Sequence, residues 1–355
     1  MGLTTFVTLI LGCDSSQFYY QAAKGQWDIL RARQPIPELL ENAETPPDTK
    51  QRLAWVQEAR EFAAESLQLP IGEAYTSFVA LDNPYVVWNV FATPPYSMEG
   101  KSWCYPIAGC VTYRGYFSEA SAVAYADQLA DTGMDTYVGG VAAYSTLGWF
   151  EDPVLSTFLY ADEIRLKALL FHELGHRKLY LQDDSVFNES FATAVELIGV
   201  QRWLATQQSS HQFEKFIERL KRKDQFVELV LKHRALRDSL YKSTQPSIEK
   251  EAEKQALINQ LREEYQQLKA EWQGYDGYDG WFAGSLNNAQ LSTVATYNSL
   301  LSGFLALYRK HDEDIAAFYK ACHALEDMGK TERHTTLQEL GASFKMNSLY
   351  SSISG

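Results

Sequence analysis

The chain has 355 residues, of which 46% are hydrophobic and 22% charged, so it can build a sizeable core in one or two domains. Lys and Arg number 32 against 45 Asp and Glu, a formal charge of −13, and such a surface repels phosphate backbones; nucleic-acid binding is excluded as a first expectation. Four cysteines are too few for a disulfide scaffold, and eight Trp, 21 Tyr and 18 Phe rule out a disordered chain.

The N-terminal run Leu3–Gly12 is apolar and too short to span a bilayer as a mature helix, but its length suits the core of a signal segment. It ends in Ile10-Leu11-Gly12-Cys13, which resembles the bacterial lipoprotein box, with Cys13 as the lipidated residue and Asp14–Gln17 as the polar stretch leaving the membrane. The first five residues carry no Lys or Arg, which departs from that pattern, and a buried strand is the competing reading. Residues 1–13 are therefore expected to be a signal segment, placing the protein in the cell envelope, lipid-anchored and facing the periplasm. Residues 14–205 are expected to hold N-terminal helices, a sheet and the catalytic core, and 206–355 a helical region.

Gln17 to Leu67 reads as helices punctuated by Pro35, Pro37, Pro46 and Pro47. Strands are expected at Tyr85–Phe91 and Gly109–Tyr113, where β-branched and aromatic residues are bounded by Pro or Gly. Cys104 and Cys110 flank a turn-prone loop that can bring them within bonding range; two buried thiols are the alternative, and Cys322 reads as a buried thiol. A helix over Ser118–Thr132, a strand near Thr136–Gly140 and an extended stretch at Tyr144–Phe150 come next, followed by helices over Asp162–Tyr180 and Ser185–Trp203. Gln212–Tyr241 and Ile248–Gln273 form a charged helical hairpin whose Lys221-Arg222-Lys223 run reads as a solvated face. Strands in the middle and helices afterwards make the fold class α+β.

The chemistry lies in His172-Glu173-Leu174-Gly175-His176. Residues four apart on a helix project about 40° from each other, so His172 and His176 can share a metal, with Glu173 beside the ion. On composition alone, such a stretch arises by chance in roughly one chain in a hundred. Catalytic zinc needs a third protein ligand and an open fourth position. The chain turns over Leu181–Asp184, and Glu189 lies about one turn into the next helix, roughly level with His176 in an antiparallel pair. A carboxylate there can meet both imidazoles.

His-Glu-x-x-His followed by Asn188-Glu189-Ser-Phe-Ala192 resembles the gluzincins, and the chain is more closely similar to the putative-aminopeptidase lipoproteins of Gram-negative bacteria. Pro84–Val90, Trp103–Pro106, Tyr113–Phe117, Tyr144–Phe150, Phe187–Thr193 and Leu286–Ala289 carry that likeness. The resemblance implies a gluzincin-like core, a small mostly antiparallel sheet followed by the helix pair. It also implies zinc on His172, His176 and Glu189, with Glu173 as general base. Thr193 stands where an Asp often supports a ligand, so Asp184 or Glu196 is expected to hold an imidazole instead. An edge strand through Tyr144, Ser145 and Thr146 is expected to bind substrate backbone. Glu151 or Asp152 is a candidate for a free α-ammonium group, against a turn role beside Pro153, and Tyr278 and Tyr297 are candidates for the oxyanion donor. The expected function is zinc-dependent peptide-bond hydrolysis, as an aminopeptidase, on peptide or protein substrates. The alternatives are an envelope endopeptidase and a non-catalytic zinc-binding lipoprotein acting as an interaction module.

Overall fold

Proline opens the first long buried helix because a missing N–H costs nothing in a helix's first turn. The computed structural model describes residues 13–105, 109–143, 151–207, 210–295, 300–342 and 344. It starts with α1 (Cys13–Arg31), β1 (Gln34–Pro35), α2 (Ile36–Glu41) and α3 (Pro47–Glu65). Helix α3 buries Thr49, Leu53, Val56, Ala59 and Ala63, a spacing of three and four that puts one face against the core.

Six strands and one helix follow: β2 (Ser77–Val79), β3 (Val87–Thr93), β4 (Trp103–Tyr105), β5 (Gly109–Val111), β6 (Arg114–Tyr116), α4 (Glu119–Asp131) and β7 (Asp135–Val141). Strand β3 is central in the order β6-β3-β7, antiparallel to both neighbours, and pairs with β7 from Val87↔Val141 to Thr93↔Asp135. Trp88 and Val90 meet Ala122 and Ala126 of α4 on one face of β3, while Asn89 and Phe91 on the other line an interior cavity, so the strand is buried almost throughout rather than in alternation. Strands β4 and β5 form a hairpin in which Cys104 faces Cys110 and is disulfide-bonded to it, resolving the cysteine alternative; Cys322 is a buried free thiol.

The chain continues through β8 (Val154–Leu155), α5 (Ser156–Leu159), α6 (Glu163–Lys178) and α7 (Ser185–Gln207). Strand β8 lies parallel to β2, which pairs antiparallel with β1 on its other side. The long pair α8 (Ser210–Lys242) and α9 (Ser247–Glu271) is the expected charged hairpin. Val230, Ile258, Leu261 and Tyr265 pack between its arms, and Lys254 reaches Asp135 of β7 at 2.9 Å, so the hairpin is tied to the sheet. After α10 (Asp279–Phe282), α11 (Asn288–Ala295) packs on β3 and β7.

Helices α12 (Leu301–Lys310), α13 (Ile315–Ala324) and α14 (Lys330–Ala342) return to the main core. Phe304 and Phe318 there contact Phe191 of α7. Residues on both sides of the expected 205/206 boundary thus share one apolar core. No helix among the described residues is long and apolar enough to cross a membrane.

Candidate metal centre

Helix α6 begins at Asp162, whose carboxylate accepts the Arg165 N–H at 3.0 Å. It buries Leu166, Leu170, Phe171 and Leu174, which leaves His172, Glu173 and His176 on the face towards α7 and the cavity. A methyl group on Gly175 would sit 3.3 Å from the Ala192 Cα, a tight contact, so glycine here eases the close approach of α6 and α7. The turn between them is pinned from several directions. The Asn188 amide donates to the Leu181 carbonyl (2.7 Å) and accepts from the Leu181 N–H (2.8 Å). Asp184 accepts from the Phe187 N–H, Arg333 Nε and His334 Nε2. Asp183 accepts the Cys110 N–H at 2.7 Å, so the disulfide hairpin braces the same turn.

This brings Glu189 level with both histidines. Its Oε2 lies 3.4 Å from His172 Nε2 and 3.7 Å from His176 Nε2, and the three donor atoms all lie within 4.8 Å of one another. Donors bound at ~2.0–2.1 Å around a tetrahedral zinc would be about 3.3 Å apart. The donor set and its spacing therefore fit that ion with little adjustment. His172 Nδ1 faces Glu196 Oε2 at 3.2 Å, the arrangement by which a carboxylate fixes a ligating ring and its tautomer. Of the two supporting acids expected, Glu196 takes this place, while Asp184 is engaged by α14. The Nδ1 of His176 is buried without a hydrogen-bond partner among the described residues.

Electrostatics separate the two rings. Burial alone would lower His172, but its hydrogen bonds with Glu189 and Glu196 carry it up to about 10. His176 is pushed down to about 4, chiefly by burial, which Glu189 opposes and His172 reinforces. Glu173 is raised to about 7 by burial, partly offset by His172 and reinforced by the charges of Glu189, Asp152 and Glu196. Glu189 and Glu196 stay below the usual carboxylate range despite burial, because His172 bonds to both. Replacing Glu196 by Ala is expected to weaken zinc affinity about 10- to 100-fold, read by competition with a chromogenic chelator. Unchanged affinity would remove Glu196 from the ligand-holding role.

These groups open onto a cavity of about 1070 Å³ whose other walls come from α1, β3, the β5–β6 segment, β7, α5 and α8. Tyr113 and Tyr180 line it. Burial, followed by the charge of Glu189, pushes both phenols up, which keeps them protonated donors. Neither was singled out as a donor from sequence, although Tyr113 opens one of the stretches that carry the family likeness. Tyr278 is a correction: it is not among the cavity-lining residues, and its ring stacks on Phe226 with centroids 4.3 Å apart in the hairpin's core. Tyr297, Tyr144, Ser145 and Thr146 lie outside the described residues. Asp152, a candidate ammonium receptor from sequence, acts on Glu173 through its charge. It is buried, does not line the cavity, and its backbone carbonyl accepts the Tyr75 N–H at 2.7 Å. Glu151 is occupied by Arg177 at 3.4 Å. Cys13, the expected lipidation site, is the first residue of α1.

A protein family described as "Putative aminopeptidase" matches residues 17–337. No curated protein and no solved structure matches.

Proposed function

The chain belongs to the family described as putative aminopeptidase, and on that premise we propose that it is a zinc-dependent peptide-bond hydrolase. The observation that carries this reading is the convergence of His172, His176 and Glu189 at one point of a large cavity, with the Glu173 carboxyl beside them. Two neutral imidazoles and one carboxylate are the donor chemistry of a hydrolytic zinc site with an open position.

When bound there, zinc would supply Lewis acidity to a water molecule and to the substrate carbonyl. Glu173 accepts the proton that the water loses as it attacks, and then delivers that proton to the departing amine. Its burial suits both steps, since a carboxyl raised to about 7 is close in proton affinity to its task at neutral pH. The Tyr113 hydroxyl, with Tyr180 beside it, donates a hydrogen bond to the carbonyl oxygen as charge builds on it. Glu196 holds His172 in the orientation that leaves Nε2 facing Glu189.

Aminopeptidase action, as the family description has it, requires a receptor for the α-ammonium group. A mixed peptide library incubated with the zinc-loaded protein tests the reading at both levels. Release of single N-terminal residues, abolished by chelation and restored by zinc, is the expected result. Internal cuts with the same metal dependence would select the endopeptidase alternative, and zinc binding with no cleavage of any peptide would defeat the hydrolase.

A further inference from the structure

We infer that Arg165, Arg219 and Lys223 form an anion-binding wall of the cavity that holds a carboxylate of an acidic peptide, about three residues from the bond to be cut. The inference rests on the peptidase reading and adds a substrate class to it. Lys223 belongs to the charge run that reads from sequence as a solvated face, yet it lines the cavity together with Arg219. The reason is helical register. Phe216 and Leu220 of α8 are buried in the main core, and Arg219 and Lys223, four residues apart, flank that inward stripe. Arg165 reaches the same cavity from α6. It precedes His172 by seven residues, two helical turns on nearly the same face, which places it about 10 Å along the axis from the metal ligands. An extended peptide covers that distance in about three residues.

The three cations are not used up by neighbours. Arg219 meets Asp162 at 3.5 Å, on a side chain that remains part-exposed. Arg165 and Lys223 have no ion pair among the described residues. The charge of Lys223 acts on Glu189 and Glu196, but both are committed to the histidines, and a divalent ion would neutralise them further. The acids lining the cavity among the described residues are Glu173, Glu189 and Glu196, and all three belong to the metal site. The lining carries three cations against three acids, so with a divalent ion bound the balance becomes positive and draws an anion to this wall, even in a chain of net charge −13. The anion is a carboxylate, supplied by an Asp or Glu side chain or by the peptide's own C-terminus.

The test uses alanine-based hexapeptides with one Glu at successive positions, matched Gln peptides, and each with a free or amidated C-terminus. Their affinities for zinc-loaded Glu173→Gln protein are measured by calorimetry, and their cleavage by the wild type is followed in parallel. Glu at one position, or the free C-terminus, is expected to strengthen binding about tenfold, which is one charge-assisted contact's worth. That preference is expected to fall to within about twofold in Arg219→Gln/Lys223→Gln and in Arg165→Gln, and to shrink at high salt. The responding arm identifies which carboxylate is bound. Acidic and neutral peptides cleaved alike by the wild type would overturn the anion wall and leave the peptidase standing. Lys223-dependent binding of acidic peptides with no cleavage would leave the wall and defeat the peptidase. Equal binding of all peptides would overturn the wall outright.

Discussion

Replacing Glu173 by Gln is expected to leave one equivalent of zinc on the protein while lowering kcat for peptide hydrolysis about 10³-fold, within the range for loss of a general base. The substitution keeps the volume of a buried side chain and touches none of His172, His176 or Glu189. It removes only the ability to take and return a proton. The pH profile carries the same signature. The active form of Glu173 is the carboxylate, so the rate rises with pH through its titration. That acid limb lies at about 7 when burial dominates, and lower once a divalent cation sits beside it. In Glu173→Gln the limb is expected to vanish with the activity. Zinc content by mass spectrometry of the metal and initial rates across pH 5–9 check both; full activity in the variant would remove Glu173 from the base role.

The second large effect is structural. Asp184→Asn is expected to destabilise the fold by about 3 kcal/mol, because it leaves a buried guanidinium facing an uncharged group. Asp184 is buried with its carboxylate 2.8 Å from both Arg333 Nε and His334 Nε2. Burial on its own would raise this carboxyl, but the bonds from Arg333 and His334 outweigh it and hold the carboxyl below its usual range. A depressed carboxyl contributes stability above the unfolded-state pKa of ~4, and the contribution is lost as pH falls through the folded value. The gap between wild type and Asp184→Asn is therefore largest near neutrality and closes as the pH falls below about 4. Urea unfolding at pH 7 and at progressively lower pH measures it. A gap of the same size throughout would mean that the charge on Asp184 does no such work. The amide oxygen of the variant still accepts the Phe187 N–H, so the start of α7 keeps its cap and the loss falls on the contact with α14.

What could be read from the sequence follows the range of the interactions involved. Helices α6 and α7, and the pairing of His172 with His176, were legible because they rest on a four-residue periodicity. Glu189 was legible because a short turn leaves little freedom in where the next helix starts. Glu196 was named only as one of two acids, with Asp184, that could replace the Asp absent at position 193; its place seven residues after Glu189, two turns on and on the same face, is what lets it reach His172. The oxyanion donor was not legible, since choosing among 21 tyrosines depends on packing between segments far apart in the chain. Tyr278 drew attention because it precedes Asn287-Asn288. Asn288 is instead a structural tie, donating to the Pro95 carbonyl at 3.0 Å and accepting from Tyr241 at 2.8 Å. Tyr278 packs in the same helical hairpin's core, away from the metal ligands. Lys223 was misread because composition shows that a run is charged but not which way each residue faces; the inward positions of Phe216 and Leu220 settle that. The two-residue strands β1 and β8 carry no periodic signal, and their pairing with β2 comes from tertiary packing.

The central claim is that His172, His176 and Glu189 together hold one zinc ion with a coordination position left open. Metal analysis with X-ray absorption on the purified protein tests it most directly. The account predicts one zinc per chain, two imidazole nitrogens and carboxylate oxygen at ~2.0–2.2 Å with a further light-atom ligand, and loss of that zinc in Glu189→Ala. A wild-type protein that takes up no zinc, or a Glu189→Ala variant that binds it as tightly as the wild type, would contradict it.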